Sequence, residues 1–287
     1  MILVTGATGT TGREIVRQLA AAGLSFRVMA RDRQKAQAIL GSEGGETVEG
    51  DFGQPATLDR ALDGVDKVFL LSSPSPQQVE QQNNMIDAAR RARNVKHVVK
   101  LSAIGADPNS RVRLLKQHGQ IEKHLEDSGL TFTHLRPNSF MQNALGFAST
   151  VKKQGAFYTP AKQGRVSFVD ARDVAAVAAA ALSEPGHENR SYTITGPAAL
   201  SYAEVAEKIS NAIGTKVTYV DVSPEAAKKG MTDAGLSEWM ADAINELSST
   251  WSEDFGAEVT NVISEVVSKQ PNTYDDFLRD FAPVFKN

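Results

Sequence analysis

Residues 114–125 read Leu-Leu-Lys-Gln-His-Gly-Gln-Ile-Glu-Lys-His-Leu, and they set one imidazole among aliphatic side chains. At roughly 100° per residue, Leu114, His118, Ile121 and Leu125 fall within an arc of about 60° on a helix. A histidine on such a face is either packed, with its ring nitrogens on backbone partners, or it meets a reacting molecule. In the second case it can hydrogen-bond that molecule and supply a proton near neutral pH. The other histidines, His97, His124, His134 and His187, are scattered without metal-ligand spacing, so no metal site is expected. The chain has no cysteine, which excludes a disulfide scaffold, an iron–sulfur centre and a thiol nucleophile.

A second group of residues suits phosphate chemistry. In Val-Thr-Gly-Ala-Thr-Gly-Thr-Thr-Gly-Arg-Glu-Ile-Val, glycines 6, 9 and 12 stand between a strand pattern and a helix pattern. Glycine allows a tight turn and close backbone approach, and a helix N-terminus offers free N–H groups to a pyrophosphate. Thr8, Thr10 and Thr11 add hydroxyl donors beside Gly6, Gly9 and Gly12. The strand–loop–helix context makes this a dinucleotide-binding fingerprint. The second strand ends in Val-Met-Ala-Arg-Asp-Arg-Gln-Lys. An acid there selects NAD by taking the ribose 2′-hydroxyl, and an arginine accommodates the 2′-phosphate of NADP. Arg31, with Arg33 and Lys35 behind it, favours NADP, whereas Asp32 would favour NAD if it turned inward. Asp51 and Phe52 end the third strand, where a carboxylate and the next N–H can meet adenine. Leu71, Ser72 and Ser73 end the fourth, where the ribose and nicotinamide should pass.

These residues need a scaffold, and the first two-thirds of the chain supplies its rhythm. Strand patterns at 1–6, 25–31, 47–51, 67–73, 97–103 and 131–137 alternate with helical ones near 12–22, 55–63, 77–93 and 111–128. Such alternation predicts an α/β fold, a doubly wound parallel sheet of Rossmann type. The expected organisation is a dinucleotide-binding domain over 1–138, with parts of 155–200 returning to it. A smaller, mainly helical α/β lobe over 139–287 would bind substrate. Within it lie a helix at 139–154, a strand leading into the Ala-rich helix near 171–182, and a helical, acidic stretch from 224 onward. The net charge of −3, with 41% hydrophobic and 23% charged residues, gives no global attraction to nucleic acid or anionic lipid. No apolar run reaches the length of a membrane span and no signal-peptide pattern opens the chain, so a cytoplasmic monomer or homodimer is expected.

Taken together, "VTGATGTTG", "MARDRQK", "VEGDF", "VFLLSS", "LSAIGA", "QHGQIEKHLEDSGLTFTHLRPNSFMQN" and "VDARDVA" resemble the NmrA-like, atypical branch of the short-chain dehydrogenase/reductases. The sequence particularly resembles the bacterial NADPH-dependent quinone, azo-dye and triarylmethane reductases of that branch. That resemblance implies hydride transfer without flavin to a quinone-like, azo or other conjugated aromatic acceptor. A non-catalytic dinucleotide sensor, as in the regulatory NmrA proteins, is the alternative. Ordinary members of the superfamily carry Tyr-x-x-x-Lys on the helix after the fifth strand, the tyrosine protonating a carbonyl oxygen. Here those positions fall on Leu114 and His118, so the usual acid is missing. Ser102 lies near the position of the usual catalytic serine. The resemblance further implies that Pro137 and Asn138 flank nicotinamide and that Phe140, Met141 and Asn143 face the acceptor. Residues 74–84 would be a mobile rim. Asp170 or Asp173 would cap the following helix, and 237–247 and 274–285 would close the cleft or form a subunit contact. Replacing Arg31 with Glu should weaken NADP binding far more than NAD binding in a direct titration; an equal loss for both would remove the basis for preferring NADP.

Overall fold

The strand His97–Leu101 buries all five of its residues, a lysine included. A strand covered on both faces belongs inside a parallel sheet, and the computed structural model, which describes residues 1–286, shows that sheet. Two units are resolved. Unit 1 comprises Met1–Pro137 and Val174–Thr193; unit 2 comprises Asn138–Asp173 and Ile194 onward.

In chain order the elements of unit 1 are β1 (Ile2–Val4), α1 (Thr10–Ala21), β2 (Phe26–Ala30), α2 (Arg33–Leu40), β3 (Glu46–Glu49), α3 (Leu58–Ala61), β4 (Lys67–Leu70), α4 (Gln78–Ala92), β5 (His97–Leu101), α5 (Arg113–Asp127) and β6 (Thr131–Pro137). The sheet runs β3-β2-β1-β4-β5-β6 with every pairing parallel, and a seventh strand, Arg190–Ile194, follows β6. This is the Rossmann order, whose reversal beside β1 and β4 creates a crevice at the carboxyl ends of the strands. The core on one side of the sheet joins Leu3, Val68, Leu70 and Val98 to Ile86 of α4 and to Ile121 and Leu125 of α5. The apolar face of α5 is therefore real, and His118 sits half-buried on it.

One element departs from the sequence reading. Residues 33–40, where no helix was expected, form α2. Its signal is short: Asp32 caps it by accepting from the Lys35 N–H at 2.9 Å, and Gly41 stops it after two turns.

Unit 2 begins with a 3-10 segment, Met141–Phe147, where a continuous helix over 139–154 was expected; only α6 (Ala148–Gln154) is α-helical. Then come β7 (Ala156–Thr159), β8 (Arg165–Val166), α7 (Ala171–Ser183, passing into unit 1 at Val174), β9 (the Arg190–Ile194 strand of the large sheet), β10 (Leu200–Ser201), α8 (Tyr202–Ile213) and β11 (Thr218–Asp221). Four helices follow: α9 (Pro224–Asp233), α10 (Glu238–Trp251), α11 (Val262–Val267) and α12 (Tyr274–Phe281). The core of this unit is aromatic. Phe157 stacks on Phe147 with centroids 4.5 Å apart, and Tyr202 meets Phe168 edge-on at 5.4 Å. Tyr274, Phe277, Leu278 and Phe285 are buried in this same core. The apolar face of 274–285 is thus packed inside its own unit. Among the described residues no helix is long and apolar enough to cross a membrane. Phe277→Ala should cost about 3–5 kcal/mol of stability, typical of a buried phenylalanine, and lower the thermal midpoint.

Candidate active site

The crevice of unit 1 is built first by β1. Thr5, fully buried at its end, accepts from the Leu71 N–H at 2.8 Å and reaches the carbonyl oxygens of Phe69 and Leu71 at 2.9 Å, tying the β1 exit to the β4 exit. The chain then turns at Gly6, whose φ of +63° is left-handed and whose absent Cβ would lie 2.7 Å from Leu71 Cγ. A Cβ on Gly12 would lie 2.1 Å from the Gly6 carbonyl oxygen, so α1 approaches the loop too closely for any side chain. Gly9 closes the turn by donating to that same carbonyl at 3.0 Å and serves as the N-cap of α1. No side chain caps the helix and no acid stands in its first turn. The free N–H groups at that end, with exposed Thr8 and Thr10 beside them, fit a pyrophosphate; Thr11 is buried.

The neighbouring strand ends differ in what they leave free. Arg31 is exposed and has no ion-pair partner among the described residues, and Arg33 and Lys35 are exposed as well. Asp32 is committed to its helix cap. Asp51 accepts from the Gly53 N–H at 2.8 Å, and the Phe52 ring is packed into the unit 1 core, which leaves only its backbone for a ligand. Ser72 Oγ accepts from Gln82 at 3.0 Å, and Ser73 is exposed. In the 74–84 stretch Gln78 and Gln82 are buried, and Gln117 donates to the Ser75 carbonyl at 2.9 Å. Ser75 Oγ, Gln78 Oε1, Gln82 Oε1, Asn83 Oδ1 and Gln117 Oε1 are nevertheless buried without a protein partner. Orphaned polar atoms on this loop, on α4 after it and on Gln117 of α5 call for a ligand or water.

Below them lies a polar cluster within the unit. Lys100, on β5, has no exposure at all. Its Nζ reaches the Leu101 carbonyl at 3.1 Å and His118 Nδ1 at 2.9 Å. Burial brings the Lys100 ammonium down to about 7, with Glu122 opposing that shift and Arg136 adding to it. Burial, and then the Lys100 charge, push the His118 imidazole well below its usual range. His118 Nε2 has no partner among the described residues. Glu122 is held bidentately by Arg136 at 3.0 and 2.6 Å. Burial alone would raise Glu122, but the Arg136 hydrogen bonds bring it below the ordinary carboxylate value. Ser102 is buried beside Glu122, and its hydroxyl makes no hydrogen bond of normal length. His134 bonds Glu126 through Nε2 at 3.1 Å and is brought down to about 4, chiefly by burial. Among the described residues, no three His, Asp or Glu side chains are placed to hold a metal ion.

The remaining sequence candidates divide by burial. Pro137, which ends the first segment of unit 1, uses its carbonyl to accept from the Ile104 N–H at 2.9 Å. In unit 2, the Asn138 amide donates to Ser167 Oγ at 2.7 Å and to the Gly256 carbonyl at 2.8 Å, so it braces its own unit. Met141 is packed into the unit 2 core at 1% exposure. Phe140 is half-buried and Asn143 exposed. Asp170 caps the start of α7 by accepting from the Arg172 N–H at 2.8 Å. Asp173 instead holds Asn272 and Lys269.

The NmrA-like family matches residues 1–278. The chain belongs to that family. An NAD(P)H azoreductase of Xenophilus azovorans is 44% identical over 285 residues, 99% of each chain. The NADPH-dependent quinone oxidoreductase of Escherichia coli, solved with NADPH, is 30% identical, with a TM-score of 0.89 covering 98% of this chain and 99% of its own. A triphenylmethane reductase of Citrobacter sp., solved with NADP(H), is 28% identical, with a TM-score of 0.84 over 98% and 99%. The sequence reading missed Lys100, since it stands in an apolar run and meets its partner 18 positions later. In this NmrA-like chain Gly12→Ala should drive α1 off the loop, lowering dinucleotide affinity at least about tenfold, or about 1.4 kcal/mol. Calorimetric titration checks this, and unchanged binding would discard the loop as the phosphate cradle.

Proposed function

We propose that this chain is an NAD(P)H-dependent reductase that passes hydride to conjugated acceptors such as quinones and azo compounds. The observation that carries the reading is the end-to-end 44% identity to a protein named as an azoreductase, supported by the uncapped helix terminus that fits a dinucleotide. The reduced dinucleotide supplies the hydride when bound. The chain's own residues hold its phosphates at the start of α1 and lay its adenosine end along the exits of β2 and β3. NADPH is the favoured form, because Arg31 is free for a 2′-phosphate and Asp32 is turned away into its helix cap.

Acceptors of this class tolerate the missing tyrosine. Leu114 cannot donate a proton, yet a reduced quinone or azo anion is stabilised by conjugation and needs less help than an alkoxide. Positioning and exclusion of water then supply much of the rate. His118 is the group we assign to meet the reduced acceptor, through Nε2. Ser102, lacking a partner, sits beside Glu122 as a secondary donor. Phe140 and Asn143 are accessible enough for acceptor contact, and Met141 is not. A pure dinucleotide sensor would bind without turnover, and the reductase relatives argue against that role.

His118→Ala should lower quinone turnover roughly 10²-fold, the lower end for loss of a general acid, as followed by NADPH absorbance. Full activity in that variant would remove His118 from the reaction. Failure of the wild type to oxidise NADPH with any quinone or azo dye, despite tight binding, would install the sensor instead.

A further inference from the structure

Lysine is almost never fully buried unless it is paired. Among the described residues Lys100 has no ion pair and it has no exposure; Glu122, the acid whose charge acts on it, has both oxygens engaged by Arg136. An ammonium can donate three hydrogen bonds, and here only the Leu101 carbonyl and His118 Nδ1 receive one. Leucine or methionine would fill the same space without the desolvation penalty of a buried cation. The feature that a hydrocarbon could not reproduce is the contact with Nδ1. The charged and titratable groups facing Lys100 are His118 and Glu122 from α5 and His134 and Arg136 from β6; β4 opposes it with Leu70.

We propose that Lys100 and His118 form a two-member proton relay: the Lys100 ammonium donates to Nδ1 while His118 Nε2–H protonates the reduced acceptor. The inference rests on the placement of His118 proposed above. Hydride from the reduced dinucleotide converts a quinone to its monoanion. The Nε2–H bond of His118 breaks and an O–H bond forms on the acceptor; for an azo group, an N–H bond forms. The Nζ–H bond of Lys100 breaks and an Nδ1–H bond forms, so imidazole changes tautomer without becoming imidazolium. Lys100 is left as a neutral amine and regains its proton from water by the reverse route. Lys100 never touches the acceptor; it is a positioning residue that fixes the Nε2–H tautomer and stocks the proton.

The relay needs Lys100 charged, so turnover with quinones should fall as pH rises through about 7. Stability runs the other way. From about 7 to the usual 10.5 the unfolded chain carries a proton at Lys100 that the folded chain has released, so stability rises with pH across that window. Lys100→Met therefore should fold at least as well as the wild type near neutrality, and its loss of turnover would not be unfolding.

The test uses the full chain with NADPH and a naphthoquinone. Lys100→Met should lower kcat at least about tenfold, leave the KM for NADPH within about twofold, and abolish the decline above neutrality. Nitrogen NMR of the His118 ring should show the Nε2–H tautomer in the wild type below about pH 7 and a tautomer mixture in Lys100→Met. A triarylmethane cation gives an internal control, since hydride addition to it yields a neutral product with no proton required. Where that dye is reduced, Lys100→Met should spare its turnover. Wild-type kcat and pH profile in Lys100→Met, or an unchanged His118 tautomer, overturns the relay. If His118→Ala is impaired and Lys100→Met is not, only the relay falls; if neither is impaired, the placement of His118 falls with it.

Discussion

The close approach of α1 to the loop before it governs unit 1. With the Gly6 carbonyl 2.1 Å from where a Gly12 side chain would begin, the helix axis is drawn against the strand exit and its uncapped terminus points at the sheet's carboxyl edge. Thr5 holds the β1 and β4 exits together below it, which opens the crevice on either side of the topological reversal. Any bulk at Gly12 or slack at Thr5 would move the N–H donors relative to the strand ends that accompany them. The cradle therefore depends on backbone contact alone, with no charged side chain needed at its centre.

Beside this economical loop stands a costly polar cluster. Lys100, Glu122, Arg136 and His134 are packed between β5, β6 and α5, where hydrocarbons would be cheaper to bury. Arg136 and Glu122 satisfy each other through their fork, and His134 bonds Glu126 outside the four. Lys100 is the member without a carboxylate of its own. A network retained at such expense is best understood by what its odd member touches, and that is the imidazole at the surface of the cluster.

Much of this was readable beforehand. Strand and helix alternation in the first 137 residues follows from period and glycine placement, and His118 announced itself by sharing a stripe with Ile121 and Leu125. α2 escaped because two turns of mixed polarity carry little periodic signal and its charged residues also suited a cofactor-selecting role. Lys100 escaped for a different reason. In a strand buried on both faces there is no alternation to violate, and the partner that gives the lysine meaning lies on a later helix. The bond from the Asn138 amide to the Gly256 carbonyl, 118 residues away, could not be read from the sequence either. Phe140 and Met141 differ in setting because Phe140 is still extended, bridging Val169, whereas Met141 opens the 3-10 segment.

The double duty of the segment after β2 has an evolutionary cost. Asp32 looks like a ready-made switch to the other nicotinamide coenzyme, yet its carboxylate begins α2. Swinging it toward a ribose would unfasten that helix, forfeiting roughly 0.5–2 kcal/mol of capping. A lineage changing its redox currency at this position would have to find a replacement fastener first, so drift in coenzyme choice is steered toward Arg31 and the exposed positions around it.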